Sequence, residues 1–510
     1  MVNFIAVPSS STAICFVKTF VVEQKWVIRL ATAVISLYFI YNKITKPPAS
    51  LRHLPQAGFF TVLSAIKNLK PIDQIAHEIS FPAVANSNHG LYVRFDNAGW
   101  AVHVMDPVAV KDILMSNDLF PKSITSLQTR RGTLAGRLIT GPNILFLSGD
   151  HWKKQRKIIN PSFHRVLPPK IFGRLSQKML DTIETEMQIK KDDGKSIDIC
   201  DITQRWALDV LGEFAFGFKF HALENNGDDN EWVTRYNTIV KAAGNPLYFI
   251  FPSIERQFKS WIPGRRKAHE ELAKFFGMIH AMADERRQVI LNSANTIVDD
   301  KQKKHDGEKD VLTLMIEAEH KGQDRLTDEE FESNLSIFFL AGHDTTASAV
   351  AFAIYHLAVH PDTQRKAREE VIRIFGDDHS DILPTLEQTR ELSYINMNLR
   401  INPPAIHMIP RRATQDTELA GVLIPKDTRL SIDVYDLHHN PKVWKNPDLF
   451  DPERFAPGGE VDQLSGSGLP WTPFSNGLRS CIGMNFSLMG QRVLLSMLRK
   501  PFLFCSRLPR

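Results

Sequence analysis

Along most of this chain the apolar positions recur at helical spacing, and only a few short runs alternate as strands do. Near the N-terminus, Leu30–Tyr41 carries no charge, and with Trp26, Val27 and Ile28 it forms an apolar segment of about 16 residues. A single membrane span takes about 20 apolar residues. The segment is therefore short, and Arg29 within it has to snorkel toward headgroups. Trp26, Tyr38 and Tyr41 suit interfacial positions, and Lys43, Lys46 and the stiff pair Pro47-Pro48 follow. No small-x-small cleavage site follows the segment, which argues against a signal peptide. The expectation is a membrane anchor over residues 1–45 and a linker over 46–58.

In the body, Leu91–Phe95 and Trp100–Met105 are β-rich runs around Asp96-Asn97-Ala98-Gly99, a hairpin signal. Pro107–Met115 reads as a short helix, and residues 116–148, with Gly132, Gly136 and Gly141-Pro142, as a long loop. Thr327-Asp328-Glu329-Glu330 has the spacing of a capping box. The helix it opens runs to about His360, where Pro361 stops it, a length of roughly 50 Å. Met484–Arg499, with Leu488, Gln491, Leu495 and Leu498, reads as a last helix. The charged stretches Asp228–Glu231 and Asp299–Lys309 read as exposed connections. The class is mainly α with a minor β-sheet region, one large body over 59–510.

Composition narrows this little. Hydrophobic residues at 43% allow a sizeable core, and 23% charged residues are ordinary for a globular body. The net charge of +5 suggests basic patches for an acidic partner or a membrane surface, and not a nucleic-acid binder. Cys15, Cys200, Cys481 and Cys505 are too sparse for a disulfide framework and contain no Cys-x-x-Cys zinc pair, which fits a reducing, cytosol-facing body. The sequons Asn334-Leu335-Ser336 and Asn485-Phe486-Ser487 fall inside predicted helices and read as chance matches.

Phe474-Ser475-Asn476-Gly477-Leu478-Arg479-Ser480-Cys481-Ile482-Gly483 carries the chemistry. Cys481 lies just before the last helix, where the helix N-terminus favours a thiolate, a metal ligand. Phe474 can cover the sulfur, Gly477 allows a tight hairpin, Arg479 can meet an anionic group, and Gly483 lets a flat ligand approach the backbone. Phe-x-x-Gly-x-Arg-x-Cys-x-Gly resembles the signature of the cytochrome P-450 family, the haem-thiolate monooxygenases, at every defined position.

That resemblance implies the family's fold behind a microsomal anchor, haem b ligated by Cys481, and an apolar small-molecule substrate. It also implies an endoplasmic-reticulum membrane location with lipid contact, and a cytosol-facing catalytic domain. Electrons would come from an NADPH-dependent reductase flavoprotein, with cytochrome b5 as an optional second donor, since no dinucleotide fingerprint or flavin domain is evident. Ala341-Gly342-His343-Asp344-Thr345-Thr346, in the middle of the long helix, resembles the family's dioxygen-binding segment. By that likeness Thr345 bonds the oxygen, Asp344 links it to a proton source, and Ala341 and Gly342 make room over the iron. A glycine beside two threonines is also expected to weaken the helix locally. Trp152 and Arg156, four apart on one helix face, resemble the family's propionate-binding Trp-x-x-x-Arg, with Arg479 and Arg411 (or its neighbour Arg412) as further donors. Lys153, Lys154, Lys157 and Arg165 offer basic charge that would steer an acidic electron donor.

Two departures stand out. Arg400 and the Arg454 of Pro452-Glu453-Arg454-Phe455 match the family's buried ion network, but Met397 stands where its Glu belongs, and the preceding interval is four residues short. Arg400 and Arg454 are then expected to face each other without their shared anion. After Lys500 only the ten residues Pro501–Arg510 remain for the family's terminal hairpin. A second reading follows from these departures, a catalytically silent haem- or lipid-binding membrane protein. A third, an isomerase working without a reductase, is disfavoured by the retained Asp344-Thr345 pair.

Overall fold

The computed structural model describes residues 10–96, 98–164, 167–192, 196–224, 230–295, 309–319, 325–376, 385, 387–388 and 398–497. Helices dominate and the sheets are small, as the apolar spacing predicts. The longest buried element is the central helix Asp328–Val359, about 48 Å at 1.5 Å per residue. Its start is the capping box read from the sequence: Thr327 Oγ1 accepts the Glu330 N–H (3.2 Å), and Glu330 Oε2 accepts the Thr327 N–H (3.0 Å). Among the described residues it is the one helix long and apolar enough to cross a membrane. It is also mostly buried, so its apolarity is that of a core element.

The helices Ile199–Leu211 and Met484–Met497 pack on this central helix. Trp206 and Phe172 are fully buried there, and Phe214 and Phe486 meet with ring centres 4.9 Å apart. A second apolar core lies under a four-stranded sheet of order β1-β2-β6-β3, formed by β1 (Leu91–Asp96), β2 (Gly99–Val104), β3 (Arg411–Arg412) and β6 (Arg429–Ile432). The strands β4 (Thr417–Leu419) and β5 (Val422–Ile424) pair separately. The predicted hairpin is present, with Asp96 opposite Gly99, whose φ of +104° suits glycine. All four residues of β6 are buried, as a strand with neighbours on both edges requires.

The expected loop over 116–148 is a correction. It contains two helices, Thr125–Arg130 and Leu134–Ile139. Its glycines signal close packing as well as turns: a Cβ on Gly136 would lie 2.0 Å from the Arg130 carbonyl oxygen, and one on Gly141 2.1 Å from Ser333 Oγ. The Asp228–Glu231 stretch is corrected in part. Asp228 lies outside the described residues, but Glu231 begins a helix to Ala243 that Asn230 caps. Residues 296–308, most of the second charged stretch, also lie outside. Asn334, within a sequon, is fully buried and bonds Gln155 and the Glu330 carbonyl.

Ser10–Thr45 is a single helix, ending where the expected anchor ends. Val34, Leu37, Phe39 and Ile40 on it are all more than half exposed.

Candidate active site

The Cys481 loop is held by backbone and side-chain bonds. The Cys481 N–H donates to the Phe474 carbonyl (2.9 Å) and the Ser480 N–H to Gly477 (3.1 Å). Asn476 Oδ1 accepts the Gly477 N–H (2.7 Å). Gly477 has φ +68°, and a Cβ there would sit 2.6 Å from the Leu114 carbonyl oxygen. The hairpin argument for this glycine therefore holds, although Gly477 itself does not line the cavity described next. Behind the loop, the Met484–Met497 helix is tied to the central helix, where Thr346 Oγ1 donates to Ser487 Oγ (3.2 Å).

A cavity of about 380 Å³ brings together ten of the predicted residues: Cys481, Phe474, Arg479, Gly483, Trp152, Arg156, Arg411, Ala341, Gly342 and Thr345. Cys481 is exposed where it lines this cavity, although protein packs densely around it. That burial pushes its thiol up, while the Gly483 N–H and the charges of Arg156 and Lys122 pull the other way. A Cβ added at Gly483 would meet nothing but Cys481 Sγ, at 4.0 Å, so the space beside the sulfur is left free by the protein.

The helix bearing Trp152 and Arg156, Gly149–His164, is locked to the central helix by the buried Gln155. Its amide donates to the Pro142 carbonyl (2.9 Å) and to Glu330 (3.2 Å), and its oxygen accepts from Asn334 (3.0 Å). Arg479 stacks over the Trp152 ring at 4.3 Å and donates to the Leu147 carbonyl (2.8 Å). Arg411 bonds Asn117 (3.1 Å) and the Phe120 carbonyl (3.2 Å).

Sequence reasoning missed Lys122. An antiparallel bridge sets it beside Arg411, and Nζ bonds the Leu145 carbonyl (2.7 Å). One lysine before a glycine-rich stretch carries no signal by itself; only strand pairing brings it in. Burial and the neighbouring Arg479 and Arg411 hold Lys122 well below the usual lysine range. Burial, with Arg411 and Arg156, pushes Arg479 down to about 9, and burial pushes Arg411 down to about 10. Four cations thus line one cavity, and no carboxylate does so among the described residues. Such an arrangement is costly unless an anion joins it. A flat group with two carboxylates and a metal for Cys481 fits this donor set.

The central helix departs from expectation in two details. It stays helical through Thr345-Thr346, and the Thr345 hydroxyl donates to the Ala341 carbonyl (2.8 Å), adding a bond where weakening was expected. Gly342 lines the cavity but also admits a neighbour: a Cβ there would lie 2.6 Å from Leu211 Cδ1. Asp344 is not in the cavity. Successive helical residues point about 100° apart, and the Asp344 carboxylate accepts from the Tyr236 hydroxyl and Gln204 (3.3 Å), with buried His343 at 3.2 Å.

The Arg400–Arg454 expectation is corrected too. Met397 lies outside the described residues. Arg454, however, has an anion of its own: it pairs with Glu460, and also donates to the Asn446 carbonyl (2.8 Å). The chain turns back through Gly458 (φ +78°) and Gly459, where a Cβ would lie 2.5 Å from the Glu453 carbonyl oxygen. Arg400 is satisfied by the His438 (2.7 Å) and Leu449 (3.0 Å) carbonyls and stacks over Trp444 at 5.1 Å. Burial and Arg454 push it down to about 10.

Comparison with known proteins agrees with this geometry. The family profile described as "Cytochrome P450" matches residues 99–504. Cytochrome P450 4F5 of Rattus norvegicus is 28% identical over 410 residues, covering 78% of this chain and 74% of the relative. Cytochrome P450 3A11 of Mus musculus is 29% identical over 425 residues, covering 80% and 78%. Cytochrome P450 4A10 of Mus musculus is 30% identical over 380 residues, covering 70% and 68%. A thiol, four cations and a helix-borne threonine around one cavity are thus joined by similarity along most of the chain, which belongs to the cytochrome P450 family of haem-thiolate monooxygenases.

Proposed function

We propose that the Cys481 thiolate would ligate the iron of a haem held in the 380 Å³ cavity, and that an apolar small molecule would be oxidised there. The observation that carries this reading is the gathering of Cys481, Thr345 and four cations around one space that no carboxylate lines among the described residues. When bound, haem supplies the activation of O2 that puts one oxygen atom into the substrate and releases the other as water. The electrons come from NADPH through a separate reductase.

The residues have separable tasks. Arg156, Arg411, Arg479 and Lys122 would hold the two propionates by charge-assisted bonds. The Gly483 N–H bonds the sulfur and favours its ionised form. Thr345 holds a hydroxyl at the cavity wall, its proton on the Ala341 carbonyl and its lone pairs free to accept. Asp344 serves as a proton source only after leaving Tyr236, since its carboxylate points off the cavity face. The apolar walls, among them Phe163, Leu211, Phe338 and Phe486, exclude water.

For the electron donor, Lys153 and Lys157 are exposed on the Gly149–His164 helix, Lys153 beside Asp150 (3.2 Å), whereas Lys154 is half-buried against Glu330 (3.5 Å). Lys153 and Lys157 therefore supply the steering charge for the reductase and for cytochrome b5. Residues 1–45 anchor the chain as a single pass in the endoplasmic-reticulum membrane, 46–58 link, and 59–510 form the cytosol-facing catalytic domain. The exposed apolar side chains of Ser10–Thr45 support this, together with Phe60 and Leu63 on Phe59–Lys67, where Tyr41 stacks on Phe60 at 6.3 Å.

The test is spectral. The purified, reduced protein with carbon monoxide is expected to give a thiolate-type spectrum, and Cys481→Ala to abolish it. Retention of that spectrum by the variant refutes the ligand assignment.

A further inference from the structure

Among the polar groups that line the cavity, His407 is one that neither the thiolate nor the cation cluster explains. His407 lines it between Ala405 and Met408, which line it too. Its backbone is fixed by a bridge to Asp433, with the Val434 N–H on the Ile406 carbonyl (2.9 Å) and the Met408 N–H on Ile432 (3.0 Å). Its ring is fixed as well, with Nδ1 2.9 Å from Asp433 Oδ1. Asp433 is a buried carboxylate already engaged by Arg94 (3.0 Å), His103 (2.6 Å) and Ser431 (3.3 Å). A carboxylate only accepts, so Nδ1 carries the proton toward Asp433. Nε2 is the nitrogen left over. No bond occupies it among the described residues, and 43% of the side chain remains exposed.

We infer that His407 is the polar anchor of the substrate cavity and that the favoured substrate is an apolar molecule bearing a hydroxyl, which bonds to His407 Nε2. With Nδ1–H committed to Asp433, Nε2 offers a lone pair when the ring is neutral and an N–H when it is cationic. A hydroxyl both donates and accepts, so it satisfies either state; an ether or ketone satisfies one. A carboxylate only accepts, so it would be satisfied by the cationic ring alone. The Asp433 network also keeps the imidazole from rotating, which makes it a directional contact on an otherwise apolar wall.

This inference rests on the haem-thiolate reading of the cavity, and the experiment separates the two. A long-chain primary alcohol and the alkane of equal length are titrated by calorimetry into the haem-loaded wild type, His407→Phe and His407→Gln. Haem content and the carbon monoxide spectrum are recorded for each protein. In His407→Phe the alcohol-to-alkane ratio of Kd is expected to worsen roughly three- to tenfold, the worth of one hydrogen bond. Alkane affinity and haem content are expected to stay unchanged, and His407→Gln, which keeps a donor and an acceptor, to recover part of the loss. An unchanged ratio in His407→Phe overturns the inference. So does lost haem with the ratio preserved, since the nitrogen then serves a propionate. A wild type without a thiolate spectrum overturns the haem-thiolate reading, and this inference with it.

Discussion

Replacing Glu460 by Gln should unfold the protein at markedly lower denaturant. Glu460 accepts the Lys445 N–H through Oε1 (2.7 Å) and pairs with Arg454 through Oε2. The Arg454 side chain is 5% exposed and that of Glu460 14%, so the pair is shielded from water. Arg400 lies close enough to be depressed by the Arg454 charge. The substitution keeps shape and the acceptor for Lys445 but leaves the buried Arg454 guanidinium without its paired carboxylate beside Arg400, with Asp448 and Asp451 the carboxylates still acting on Arg400. Losing one member of a buried pair costs about 3–5 kcal/mol. With a urea m-value near the upper end of the usual range, about 3 kcal/mol/M or more for a chain this large, the midpoint falls by roughly 1 M. The assay is urea unfolding followed by intrinsic fluorescence and by haem release. Glu453→Gln is the control: its partner Lys366 and Glu453 itself are about half exposed, and such pairs contribute at most ~1 kcal/mol. Equal midpoint shifts for the two variants would refute the claim that Glu460 stands in for the missing network carboxylate. In an Arg454→Leu background the cost of Glu460→Gln should largely vanish.

Two further predictions concern the cavity walls. Gly342→Ala forces a Cβ to 2.6 Å from Leu211 Cδ1, an overpacking cost of about 1–3 kcal/mol against a helix-propensity gain of ~1. Combined with Leu211→Ala the same change should become stabilising, and an unchanged sign in thermal unfolding of the two backgrounds would exclude the contact argument. The second concerns His407, which Asp433 holds above the ordinary histidine value against the opposing effect of burial. A raised folded pKa gives stability that is full below the unfolded value of about 6.5 and lost as pH rises through the folded one. The stability advantage of wild type over His407→Leu should therefore shrink as pH rises above neutrality; an advantage that grows with pH would contradict the Asp433 pairing.

The silent-protein reading drew on the Glu that Met397 displaces. Glu460 weakens that ground, because Arg454 has a carboxylate after all. A linear search for the family's Glu looks one turn before Arg400. The anion arrives instead six residues after Arg454, through a turn built on Gly458 and Gly459, and nothing in helical spacing points there.

What the letters alone determined was local. The capping box at Thr327–Glu330, the helix Pro107–Met115, the hairpin at Asp96–Gly99 and the Cys481 loop are each set by residues within about ten positions, through backbone sterics, capping and turn geometry. The two short helices within 116–148 were hidden because a glycine chosen for close packing reads the same as one chosen for a turn. Only the tertiary structure decided which way side chains on one helix face: Thr345 into the cavity, Asp344 out to Tyr236. Only it brought in Lys122, His407 and Glu460, whose partners Arg411, Asp433 and Arg454 meet them through strand bridges and a glycine turn. Charge pairing and burial depend on distance in space, and helical or strand periodicity carries no information about that.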